Sequence, residues 1–85
     1  MCTYHTERVA MSGSGKGAQG WFPLELATVY YDHPVHAQAE HTVNMDFLSP
    51  SRGPGARVAV ELDPSAARAL VAALIDVLAT LPDAG

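Results

Sequence analysis

One stretch near the end of the chain constrains the fold more than any other. Asp63 is followed by Pro64, and apolar residues then recur at Ala67, Leu70, Val71, Leu74, Val77, Leu78 and Leu81, just before Pro82. Proline suits the first helical position, where its missing N–H is not needed, and an aspartate before it accepts from the amides of the first turn. Steps of three and four residues put those apolar side chains on one side of a helix. The second proline stops it. The spacing therefore predicts a helix from Pro64 to about Leu81, with this stripe as its inner side. On the other side Ser65, Arg68, Asp76 and Thr80 share the surface with Ala69, Ala72 and Ala79. Those alanines either admit a second helix at close range or reflect alanine's helix propensity alone.

The residues before this helix read as strands and turns. Thr3 to Met11 forms a first strand, with Val9 and Met11 on one face. Ser12 to Gly20 (SGSGKGAQG) has four glycines and no apolar period, which predicts a loop. Trp21 and Phe22 dock the chain, and Leu24 to Asp32 is a second strand, apolar on both sides as a central strand is. His33 to Glu40 opens with an X-Pro step and makes a connection. In the third strand, His41 to Leu48, the residues His41, Val43, Met45 and Phe47 alternate with Thr42, Asn44 and Asp46. After a turn at Ser49 to Gly55, a fourth strand from Arg57 to Leu62 points Val58, Val60 and Leu62 inward. The expected fold is α+β: one domain over residues 1–85, a four-stranded antiparallel meander with the C-terminal helix packed across a face. One helix covers one face of a sheet only, and the second strand is apolar on both. A second copy of the chain is the expected cover, making a homo-oligomer.

Composition removes several classes of function. Five Lys and Arg against nine Asp and Glu give a net charge of −4. Binding a phosphate backbone needs clustered cations, so nucleic acid is not an expected partner. The longest apolar run, Ala69 to Ile75, is far short of the roughly 20 residues that span a bilayer, so neither is a membrane. There is no charged head followed by an apolar stretch, as a secretory signal would have, and the single cysteine, Cys2, cannot form an internal disulfide. The expected location is the cytoplasm. Of the 48% hydrophobic residues, 14 are alanines, so large core side chains are few and an ion, a ligand or a second copy would help the chain hold together.

The histidines carry the candidate chemistry. In a meander the first strand starts where the second ends and the third begins. That geometry gathers His5, His33, His36 and His41 at one end of the sheet, together with Cys2, Asp32, Glu40 and the helix start. Imidazole is the commonest metal-binding side chain near neutral pH. The expected site is therefore a divalent transition metal, zinc first with copper or iron as alternatives, held by these four histidines. Glu40 and Glu7 would then either orient the ligating imidazoles or act as a general base toward metal-bound water, on a small-molecule substrate. Three histidines and a water would leave a position open for chemistry. Four, or three with Cys2, would close it. The spacing matches no strict zinc pattern, and the competing reading is of solvated turn histidines in a metal-free homo-oligomeric binding or scaffold protein. The glycine run around Lys16 has some likeness to a phosphate cradle but lacks the spacing and the following helix.

Several segments together, Cys2-Thr3-Tyr4 with Thr6-Glu7, Gly20-Trp21-Phe22, Tyr31-Asp32-His33-Pro34-Val35-His36 and Glu40-His41, resemble a family of short uncharacterised proteins from high-GC bacteria. The resemblance spans nearly the whole length. It implies a self-contained protein and supplies no activity to carry over.

Overall fold

The computed structural model describes residues 5–32 and 41–82. Their order is β1 (Thr6–Gly17), β2 (Gly20–Asp32), β3 (Thr42–Leu48), a single 3-10 turn at Pro50–Arg52, β4 (Arg57–Leu62) and α1 (Pro64–Leu78). The strands form one antiparallel sheet in chain order. The fold is thus α+β, a four-stranded meander followed by one helix.

Residues paired across strands share a face. Ala27, Val29 and Tyr31 pair with Phe47, Met45 and Val43, which pair in turn with Val58, Val60 and Leu62. Val9 extends this apolar face onto β1, opposite Ala27. The second face is mixed. Leu26 and Leu48 share it with Thr28, Asp46, Asn44 and Thr42. Thr42 and Asn44 are buried there, and the Thr42 hydroxyl donates to Asn44 Oδ1 at 2.7 Å, so two polar groups removed from water have a partner. Arg57 ties β4 to β3 on the same face, with Nε at 2.9 Å and Nη2 at 2.7 Å from Asp46 Oδ1.

The glycine run departs from the expected loop. β1 continues through it to Gly17, and β2 begins at Gly20, so the hairpin is longer than its composition suggests. The reason lies in what the glycines face. Gly15 pairs with Phe22 and Gly13 with Leu24. A Cβ on Gly15 would lie 3.1 Å from Leu24 Cδ2, and one on Gly17 would lie 3.2 Å from the Arg57 carbonyl oxygen and from Phe22 Cε1. Without side chains here, the hairpin closes over Phe22 and brings its tip against the turn before β4. A register shift between Ala10 and Gly13 marks where the ladder is interrupted, as a bulge that bends a strand would do. Phe22 is 8% exposed, whereas its neighbour Trp21 is 70% exposed, so only the first of the two docks. Glu25 secures the same end by accepting from the Ser51 amide at 3.2 Å and from the Ser51 hydroxyl. These Ser51 donors hold the Glu25 carboxyl below the usual glutamate range.

α1 begins as expected. Asp63 caps it, accepting from the Ala66 amide at 2.7 Å and from the Ser65 hydroxyl at 2.9 Å, and Pro64 occupies its first position. The Ala66 amide, then the Ser65 hydroxyl, hold the Asp63 carboxyl below its ordinary value. The regular helix ends at Leu78, three residues before the expected end, and a turn carries the chain to Pro82. Its packing differs from the expectation of an inner stripe. Of the residues of α1, all described, none is buried, and only Pro64 and Ala67 are half-buried. Leu70, Leu74, Val77, Leu78 and Leu81 are 41–62% exposed. A single residue, Asp63, joins β4 to α1, and the helix touches β3 and β4 only lightly.

The two ends of the sheet can be probed by mutation. Phe22→Ala removes the ring that the glycine hairpin closes over and should cost about 3–5 kcal/mol, read as an earlier urea midpoint at fixed protein concentration. Asp63→Ala should lower the melting temperature. Because the folded carboxyl titrates below the ordinary 3.8, the cap's contribution is complete above that pH and fades as pH falls through the lowered value. The difference in melting temperature between wild type and Asp63→Ala should therefore close on acidification, while Asp63→Asn keeps a cap that does not titrate.

Candidate functional site

The end of the sheet where β1 starts, β2 finishes and β3 opens holds two described histidines. His5 lies one step before Thr6, whose partner on β2 is Tyr30, so it approaches β2 beside Tyr31. His41 immediately precedes Thr42, the partner of Asp32. By strand alternation both lie on the apolar face, as does Tyr31 between them. Meander topology thus brings residues 36 positions apart to the same end, on either side of β2.

Each of the two rings has a neighbour. His41 is half-buried and stacks on Tyr31, with ring centroids 5.2 Å apart and an interplanar angle of 17°. Stacking holds the His41 ring over β2 and limits its rotation. His5 is largely exposed, and its Nε2 contacts Glu7 Oε2, two residues along the same strand face. A carboxylate accepting from Nε2 favours the tautomer that carries its proton there. His33, His36 and Glu40, together with Cys2, lie outside the described residues. Among the described residues, no group of three or more His, Cys, Asp or Glu side chains is close enough to hold a metal ion.

Two features of this end are absent from the histidine pattern. Tyr31 is the first, since its place beneath His41 depends on the β2–β3 register, which a local pattern does not reveal. The second is a shallow groove where α1 leaves the sheet. Tyr31 and Val43 form one wall, and Pro64, Ala67, Arg68 and Val71 the other, around a volume of about 390 Å³. Its lining is mainly apolar, with Arg68 on one wall. Ala67 and Val71, from the apolar stripe of α1, face the sheet across this groove, and Leu70, Leu74, Val77, Leu78 and Leu81 are exposed. Trp21 and Arg52 line a smaller recess of about 220 Å³ at the opposite end, between the hairpin tip and the turn before β4.

No described helix is long and apolar enough to cross a membrane. No curated protein and no solved structure matches the chain. Residues 1–85 match a family described as one of unknown function, DUF6295, and the chain belongs to that family.

Proposed function

We propose that this protein acts as a homo-oligomeric binding or scaffold protein, in which a second copy covers the apolar surface that one chain leaves open. One observation carries this reading: a 15-residue helix with an apolar stripe and no buried residue. In isolation, helices of up to about 12–15 residues are marginal in water, and most helical stability in proteins comes from packing an apolar side. The shallow groove at Tyr31 and Arg68 lies beside the start of this helix.

A metal-binding role for the histidines is the second reading. What favours it is that the two described histidines, His5 and His41, lie at the same end of the sheet on either side of β2. The ligand set of this reading is His5, His33, His36 and His41, zinc being the first candidate.

The two readings separate in solution. Sedimentation of the wild-type chain at micromolar concentration should show a homo-oligomer, and Leu74→Asp with Leu78→Asp should shift it to monomer and lower its melting temperature. A wild-type monomer overturns the assembly reading. For the second reading, untagged protein should carry near-stoichiometric metal, and a chelator should lower its melting temperature, because an ion bound only by the folded state stabilises by mass action. His33→Ala with His41→Ala should abolish both effects. Metal-free protein indifferent to added zinc overturns this reading.

A further inference from the structure

We infer that the recess between the hairpin tip and the turn before β4 is a binding site for a small aromatic carboxylate. It lies at the end of the sheet opposite the histidines and the start of α1, so it depends on neither assembly nor a metal. Its volume is about 220 Å³, and Gln19, Trp21, Phe22, Arg52 and Gly55 are among its walls. That is room for a molecule of one ring, since sites for drug-sized ligands run to roughly 300–1,000 Å³. Glycines build the recess. A Cβ on Gly17 would stand 3.2 Å from the Arg57 carbonyl oxygen, and its absence lets the hairpin tip come against the turn. Gln19, at the tip, then reaches across, its amide atoms 3.7–3.9 Å from where a Cβ on Gly55 would stand.

Two features select the ligand. The first is an open aromatic ring: Trp21 is 70% exposed, while its neighbour Phe22 is the ring that the hairpin covers. An indole left open at a recess offers a planar face on which another aromatic ring stacks. The second is charge. Arg52 lines the recess, and Lys16 lies opposite Trp21 in the β1–β2 ladder. Among the described residues neither cation has an ion-pair partner, on a chain whose net charge is −4. The acids of the adjoining strands are engaged: Glu25 accepts from the Ser51 amide and hydroxyl, and Asp46 pairs with Arg57. Beyond those Ser51 donors, Arg52 adds only a through-space attraction on Glu25. A guanidinium presents a planar fork that a carboxylate matches with both oxygens, and the Gln19 amide is a further donor on the same walls. A phosphate group carries more charge and calls on more donors than this.

Titration with benzoate tests the site, read through the emission of Trp21, the chain's one tryptophan. Benzoate should change that emission saturably. Benzyl alcohol, a ring without charge, and acetate, a charge without a ring, should each bind more weakly by about tenfold or more. Two variants locate the response. Arg52→Gln removes the guanidinium and should weaken benzoate by about tenfold or more. Gly55→Leu should fill the recess: Gly55 is not among the glycines with positive φ, and a Cβ there meets only Gln19, at ordinary contact distance, so the melting temperature should stay at the wild-type value. Loss of benzoate binding in both variants, with the wild type saturable, supports the site. A wild type with no saturable response overturns it, as does a response that both variants retain. Inorganic phosphate binding as tightly as benzoate also overturns it, because the ring would then contribute nothing.

Discussion

The rest of this structure depends on burying the apolar stripe of α1. A four-stranded meander with a single helix has one helix's worth of cover for two sheet faces, and here even that cover is not applied within the chain. Asp63 is both the N-cap of α1 and the whole of the β4–α1 connection. Tyr31 and Val43 of the sheet face Ala67 and Val71 of the helix across a shallow groove. Hydrophobic burial is the dominant favourable contribution to folding, and the proposed assembly is what would supply the share that α1 leaves unused.

The opposite end of the sheet solves its packing within one chain. Alternate glycines along β1 remove the side chains that would stop the hairpin from closing over Phe22, and Gly17 passes close to the Arg57 carbonyl. Glu25 then grips Ser51 and so ties β2 to the turn before β4. The molecule therefore has a self-sufficient end built on glycine and Phe22. At the other end, histidine, tyrosine and the helix start converge and the surface stays open. The proposed function belongs with the open end, because that is where chemistry-bearing side chains and uncovered apolar area coincide.

Much of the fold is legible in the sequence because it is written in local patterns. Alternation along 41–48 and 57–62 gives strands whose inward residues are those found paired on the apolar face, and Asp63-Pro64 marks the helix start to the residue. What local pattern does not carry is the identity of the surface across the gap. The run SGSGKGAQG reads as a loop because glycine lacks strand propensity, yet these glycines are strand residues selected by Phe22 and by the β4 backbone. For the same reason the stripe of α1 reads as an inner face: periodicity shows that a helix has an apolar side without showing where that side is buried. At the histidine end, chain direction alone places His5 and His41 together. The stack of His41 on Tyr31 depends on register and emerges only in the folded chain, and His33, His36, Glu40 and Cys2 lie beyond the described residues.

The central claim, that the helix is covered by another copy, is tested most directly by hydrogen exchange of the α1 backbone amides at two protein concentrations. An assembled helix predicts slow exchange from Ala67 to Leu78 at high concentration and faster exchange on dilution, while the β2–β3 ladder changes less. Exchange in α1 that is fast and independent of concentration would contradict the account.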